Sequence, residues 1–359
     1  MRKTFKYRIY PHRQQEQIIR ETLEHCRLLY NHLLGERKEA YEKEKHTLSA
    51  YTQINSFPLR KEAIPALKTV HSQVLQDVAQ RLDKAFPAFS AVSRAGSSPG
   101  YPRFQPIQRY HSFTYPQFGF KVEDRTVRLS KIGDVRITRH RPIEGTIKTA
   151  TVITKNRRYY LALSCEIESR DIPVNTLPPV GIDLGIKHLA ITSDGEFFET
   201  PKYLRQSERQ LKRWQRQVSR RKKGSKRRKK AVRQLARVHE HIANQRMDNA
   251  HKVSRSLVSQ YSLIAFEDLK ILNMTQNHHL AKSIADASWN MLVQFTTYKA
   301  ESAGCQVVLV NPYNTTQECS KCHALVHKEL QDRIHHCPHC GYVQDRDINA
   351  AENILARAV

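Results

Sequence analysis

Acid is scarce in this sequence relative to base. Its 359 residues include 34 Asp and Glu against 60 Lys and Arg, a formal net charge of +26. Such an excess points to a polyanionic partner, because neutralising phosphates releases counterions and drives association. An anionic membrane would also satisfy the charge. That reading weakens because no apolar run reaches the roughly 18 residues a span needs, and no signal peptide opens the chain. No internal repeat is visible, and a collagenous chain is out. Hydrophobic residues make up 39%, too many for a disordered chain and enough for a sizeable core in two or three domains. Cysteine is sparse: seven residues, an odd number with no regular framework, exclude a secreted disulfide scaffold and fit a reducing interior.

What is present divides into two halves. The opening MRKTFKYRIYP alternates Phe5, Tyr7 and Ile9, as a half-buried strand does. From Gln14 to about Lys45, and again from Pro65 to Phe89, apolar residues recur at helical spacing; Val70, Val74, Val78, Leu82 and Phe86 mark the second stretch. SRAGSSPGYPRFQP is a loop, and short β-type runs fill Tyr110 to about Glu168. These runs predict an antiparallel sheet or small barrel, which the first strand could join. Beyond the joint DIPVNTLPP, VGIDLGIKHLAITSDGEFFET reads as three strands with tight turns. A long basic helical segment, the strand SLIAFE, a helix from about Asp286 to Ala303, the strand QVVLVNP and an amphipathic final helix follow. Strands alternating with helices predict a mixed α/β domain.

Three constellations carry chemistry. Cys319 and Cys322 in C-S-K-C, then fourteen residues, then Cys337 and Cys340 in C-P-H-C form two thiolate knuckles. Four such sulfurs suit a closed tetrahedral structural Zn²⁺ site, which leaves no position open for catalysis. A three-cysteine, one-histidine variant stays open, since five histidines lie in or beside the motif. Cys26, Cys165 and Cys305 stand alone and read as small buried hydrophobes.

Three acids sit in separate settings. Asp183 falls within the β-type run V-G-I-D-L-G, where an unpaired carboxylate is costly to bury. Glu267 ends SLIAFE, and Asp347 opens the last helix, where either it or Asp345 could be an ordinary cap. Each alone is weak. Together they could hold two Mg²⁺ for phosphodiester hydrolysis, one ion activating water and one stabilising the leaving oxygen.

Between Lys202 and Arg237 lie 17 Lys and Arg and one acid, Glu208. Leu204, Leu211, Trp214 and Val218, then Val232, Leu235 and Ile242, give the segment one apolar stripe. A helical hairpin turning near Gly224 and Ser225 is expected. Its tip presents Arg220, Arg221, Lys222, Lys223, Lys226, Arg227, Arg228, Lys229 and Lys230. A solvated face normally mixes signs; this bias favours phosphate contact, whereas a localisation signal is the weaker reading.

In this order the signals resemble the TnpB family of compact RNA-guided nucleases from insertion sequences, relatives of type V CRISPR effectors. The resemblance rests on VGIDLGIKHLAITSDG, the basic segment through NQRMDNAHKVS, FEDLKILNM, LAKSIADASWNMLVQFTTYKA, CSKC…CPHCG, DRDINAAENI and the opening YRIYPHRQQEQ, essentially the whole chain. It implies an α/β plus β architecture. A RuvC-like nuclease domain of RNase H fold (179–310 and 344–359, basic insertion about 202–250) would be split by a zinc ribbon (311–343). A wedge-type β-barrel (1–10 and 110–175) would carry an inserted helical recognition domain (11–109). The resemblance also implies Asp183, Glu267 and Asp347 as catalytic acids on two Mg²⁺, the four cysteines on one Zn²⁺, and Arg346 orienting the phosphate. Its implied partners are a guide RNA from the transposon end and double-stranded target DNA with an adjacent motif, near Tyr51 and Gln76. A monomeric, cytoplasmic, nucleoid-associated ribonucleoprotein with no membrane role would result. His323 departs from the family, which usually has glycine there. A silent guided DNA binder or transposition accessory protein is the alternative; no tyrosine or serine recombinase motif is present.

Overall fold

The structure is a computed structural model that describes residues 1–94, 101–168, 175–329 and 332–359, with side chains omitted at 87–94. Parts of the expected loop after residue 93 and of the joint at 171–174 lie outside these residues. Two units divide the chain at Arg170 and Asp171.

The first unit begins with β1 (Arg2–Tyr10), followed by helices α1 (Arg13–Glu44), α2 (Ala50–Asn55), α3 (Phe57–Ala63) and α4 (Ser72–Arg94). Six strands complete it: β2 (Ser112–Tyr115), β3 (Phe120–Val122), β4 (Thr126–Leu129), β5 (Gly133–Thr138), β6 (Thr146–Lys155) and β7 (Arg158–Glu166). The N-terminal strand does join the later ones, lying between β7 and β5 with Phe5 opposite Leu163 and Tyr7 opposite Leu161. Its alternation puts Phe5, Tyr7 and Ile9 in the core and Lys6 and Tyr10 outside. At the start of α1, the His12 N–H donates to Gln15 Oε1 (3.1 Å) and Gln15 Nε2 donates to the Asp134 carbonyl (2.8 Å), tying helix to sheet.

The expected barrel is corrected by the strand order β2-β6-β7-β1-β5-β4-β3. Among the described residues no pairing joins β2 to β3, so the sheet is open. Its apolar face is covered by α1 and α4, whose Ile19, Leu33, Val74 and Leu82 share one core cluster with Phe5, Tyr7, Leu161 and Val135. With helices filling the space that a closed sheet would enclose, short β2 and β3 have no reason to meet.

The second unit contains a five-stranded, RuvC-like mixed sheet of order β10-β9-β8-β11-β12, from β8 (Pro179–Asp183), β9 (His188–Thr192), β10 (Phe197–Glu199), β11 (Leu263–Glu267) and β12 (Gln306–Val310). The first three pair antiparallel, whereas β8, β11 and β12 run parallel. Helices α5 (Tyr203–Arg220) and α6 (Lys226–Gln260) lie between β10 and β11. After β11 come α7 (Ile271–Met274), α8 (His278–Ala287) and α9 (Trp289–Ala303). The short pair β13 (Ile334–His336) and β14 (Val343–Asp345) leads into α10 (Arg346–Ala356). Helices α5 and α6 do form the hairpin, packed through Leu211, Leu235, Val238 and Ile242. Val232 was expected in that stripe but is 41% exposed. Ala231 takes its place, because buried Ala231, Val238 and Ile242 share one face with half-buried Leu235, and Val232 lies about 100° around the helix. All three isolated cysteines are buried.

One contact sets the depth of this unit. A Cβ on Gly181 would lie 2.0 Å from the Ala351 carbonyl oxygen and 2.6 Å from the Leu355 nitrogen, so α10 rests directly on the β8 backbone. Gly181→Ala is expected to push helix from strand and cost roughly 1–3 kcal/mol, as overpacking does. A denaturant melt unchanged from wild type would contradict this close approach.

Candidate functional site: an acid cleft beside a four-thiol knuckle

Parallel strands bring two of the acids together. Ile182 and Phe266 are register partners, so Asp183 and Glu267, one residue on, end adjacent strands at their carboxyl edge. Ligands of open α/β sheets bind at that edge. The third acid arrives on α10. Gly181 and Asp183 are two residues apart on one face of β8, and Asp347 and Ala351 are one turn apart on one face of α10. The Gly181–Ala351 contact therefore sets Asp347 beside Asp183. Asp345 is the cap, its Oδ1 accepting from the Asp347 and Ile348 N–H groups at 2.8 and 3.3 Å, which leaves the Asp347 carboxylate available.

Both other acids act on Asp183. Burial pushes the Asp183 carboxyl up to about 8, and the charges of Glu267 and Asp347 add to the rise, against Arg346 and the Leu184 N–H. Glu267 is raised too, by burial, while the Thr315 hydroxyl that donates to its Oε1 and the Arg357 charge work the other way. Asp347 is held by Arg346 Nε at 3.0 Å, and Arg333 NH1 lies 3.8 Å from its other oxygen. Asp183 and Asp347 line a cleft of about 730 Å³, in which the cations Lys187, Lys202, Arg205, Lys282, Arg333 and Arg346 stand among apolar residues such as Ile186, Met274 and Trp289.

The thiols are brought closer still. All four sulfurs of Cys319, Cys322, Cys337 and Cys340 lie within 4.8 Å of one another, with Cys319–Cys340 at 3.7 Å and Cys322–Cys337 at 3.5 Å. Sulfurs about 2.3 Å from a central tetrahedral ion stand about 3.8 Å apart, so the set fits a metal, and the separations are far beyond the roughly 2.05 Å of a disulfide. Burial alone would raise the Cys337 thiol, but the Cys340 and His339 N–H groups aimed at it carry it down to about 6. No histidine is in the set. Among the described residues no group of carboxylates draws in this tightly. His323 has φ +60°, the left-handed conformation that Gly341 (φ +74°) supplies after the other knuckle, and Glu318 holds its Nδ1 at 2.9 Å. The knuckle thus keeps its shape without glycine.

Several positioning residues carried no sequence signal of their own. On α10, buried Asn349 and Asn353 donate to the Glu318 carbonyl (both 2.8 Å), and Asn353 also to that of Thr315 (2.9 Å). They fix the strip that carries Thr315 and Cys319, so one helix supports both the acid site and the knuckle. The amides in DINAAEN, set on the packed face of an otherwise apolar helix, were the available hint. Arg333, on the approach to β13, was also missed. The basic tip stands where expected: Arg220, Lys222, Lys223, Lys226, Arg227, Lys229 and Lys230 are exposed, and Arg221 and Arg228 half-buried. In the other unit, Tyr51 is 75% exposed on α2 and Gln76 half-buried on α4. No helix of the described residues is long and apolar enough to cross a membrane.

Three family profiles match the chain. A profile described as "Probable transposase" matches residues 162–278, one described as "Cas12f1-like, TNB domain" matches 289–354, and a "Helix-turn-helix domain" profile matches 1–46. Over those last residues the chain forms β1 and one unbroken helix. A "Putative RNA-guided DNA endonuclease" of Streptomyces pristinaespiralis is 34% identical over 99% of this chain and 89% of its own. Escherichia coli (strain K12) has a "Putative RNA-guided DNA endonuclease InsQ", 31% identical over 98% and 91%. A solved structure of the mini-RNA-guided endonuclease CRISPR-Cas_phi3 shares the fold (TM-score 0.54, 9% identity, 99% and 92% covered).

Asp183 provides a test that needs no nucleic acid. Because the fold raises its pKa, the native state binds the proton more tightly than the unfolded chain from about pH 4 to 8, so stability falls as pH rises through that window. Asp183→Asn, neutral at every pH, escapes the loss. In Mg²⁺-free buffer with the thiol-bound metal retained, it is expected to melt on the order of 5 °C higher than wild type at pH 8, the gain vanishing near pH 4. Equal melting at pH 8 would show that the charge is not strained.

Proposed function

Because the chain belongs to the TnpB family of RNA-guided DNA endonucleases, we propose that it cuts DNA chosen by a guide RNA, by Mg²⁺-dependent hydrolysis in the acid cleft. The convergence of Asp183, Glu267 and Asp347 beside a cleft that carries six cations supports the proposal. The family reading extends to a guide from the transposon end and a double-stranded target with an adjacent motif near Tyr51 and Gln76. It also extends to a monomeric ribonucleoprotein acting on the nucleoid in the cytoplasm, and to the domain bounds expected from sequence, with the open sheet in place of the barrel.

The residues fit the metals. The charges of Glu267 and Asp347 raise the proton affinity of Asp183, a repulsion that bound cations would relieve. Two Mg²⁺ held by Asp183, Glu267 and Asp347 would sharpen the acidity of a bound water and offset charge on the leaving oxygen. The protein's own groups do the positioning. Thr315 fixes the rotamer of Glu267, Arg346 fixes Asp347, and Arg333 adds a cation at the cleft where a phosphate would sit. The four thiols would hold one structural Zn²⁺. The hairpin tip would grip phosphates of guide or target.

Three outcomes are expected. Alanine at Asp183, Glu267 or Asp347 should slow guided cutting by about 1,000-fold or more, a loss of roughly 4 kcal/mol at the transition state, while guided binding persists. Wild-type protein that binds matched DNA with guide and Mg²⁺ but never cuts would instead make it a silent guided binder. Arg333→Ala should slow cutting on the order of 100-fold with zinc content unchanged; full activity would remove Arg333 from the site. Cys337→Ser should lower both zinc per chain and melting temperature, and zinc retained in full by elemental analysis would refute the assignment.

A further inference from the structure

One buried acid in the same cleft has no part in that chemistry. Asp286, at the end of α8, has a side chain only 5% exposed, and its carboxylate accepts four hydrogen bonds. Two come from the Leu204 backbone N–H, at 3.0 and 3.1 Å, and two from Arg246 on α6, Nε at 3.0 Å and NH2 at 2.9 Å, both to Oδ1. Helix α5 needs this. Its own cap position is Lys202, left-handed at φ 51° with no side-chain cap bond, and its first turn contains no acid. A helix start with orphan N–H groups and a nearby Arg205 is unfavourable by itself. Asp286, 82 residues on, supplies the missing anion and acceptor and thereby fixes where α5 begins.

That start point decides where two cations stand. Lys202 and Arg205 flank Leu204, are exposed, and line the cleft that holds Asp183 and Asp347. The other cleft cations are mostly spent: Arg346 and Arg333 face Asp347, and Lys282 is paired with Glu208 at 2.5 Å. Lys202 and Arg205 have no carboxylate partner among the described residues; Arg205 reaches only the Ser283 hydroxyl, at 3.4 Å. Resting on the nuclease reading above, we propose that Asp286 is a positioning residue which holds Lys202 and Arg205 at the cleft, where they grip two backbone phosphates of the DNA strand leading to the acids.

The test uses the full chain in an Asp183→Ala background, so that binding is read without cutting. Anisotropy of a fluorescein-labelled oligothymidine strand is followed across a salt series. Each phosphate contact contributes about 0.7 to the slope of log affinity against log salt for a single strand, so Lys202→Ala/Arg205→Ala should flatten the slope by about 1.4. Asp286→Asn, which loses the charge but keeps the shape, should flatten it in the same direction. Adding Asp286→Asn to the Lys202/Arg205 pair should change nothing further, since both act through one contact. By contrast, Asp286→Asn combined with Lys229→Ala/Lys230→Ala at the hairpin tip should be additive. A slope unchanged in the Lys202/Arg205 pair, or additive losses on combining it with Asp286→Asn, would overturn the proposal. The two readings fail separately: a wild type that never cuts can still show the slope change, and one that cuts can lack it.

Discussion

The second unit depends on how closely one helix can approach one strand. At Gly181 the β8 backbone leaves no room for even a methyl group against α10, and the acid cleft follows from that contact. Asp183 is two residues along the same strand face, and Asp347 is one turn back along the same helix face. Glu267 needs no separate device, because parallel pairing of β8 and β11 delivers it to the same edge. Bringing three carboxylates together is unfavourable by itself, as the raised Asp183 pKa records. The apolar packing of Val180, Ile182, Ile264 and Phe266 beneath them offsets the cost.

The same helix explains why an acid site and a thiol knuckle belong together. Asn349 and Asn353 fasten the strip from Thr315 to Cys319, so the residue that orients Glu267 and the first thiol are fixed by one set of bonds. A structural metal in the knuckle would then stabilise the cleft without touching its chemistry. Arg333 and Arg346 are joined by the bond from the Arg346 N–H to the Arg333 carbonyl, so the approach to β13 also delivers a cation to Asp347.

Legibility in the sequence followed the range of the interactions. Local signals read well: alternation in β1, the hairpin from its stripe and Gly-Ser turn, the thiol pairs from spacing. The acids stood out because carboxylates in apolar strand ends are costly, and the family resemblance joined them. What could not be read depended on distant partners. The barrel expectation failed because nothing in the strand runs says that α1 and α4 cover their apolar face. Val232 was misplaced by one residue because a basic helix offers few apolar landmarks. Thr315, Asn349, Asn353 and Asp286 are ordinary polar residues until the fold shows what each one bonds.

Mn²⁺ in place of Mg²⁺, located by anomalous scattering in crystals of the protein, tests the central claim most directly. Two peaks among the carboxylates of Asp183, Glu267 and Asp347 are predicted, both absent in Asp347→Ala, because the helix-borne acid completes the site. A cleft with no manganese, or manganese unaffected by loss of Asp347, would contradict the claim that the α10–β8 contact assembles the metal site.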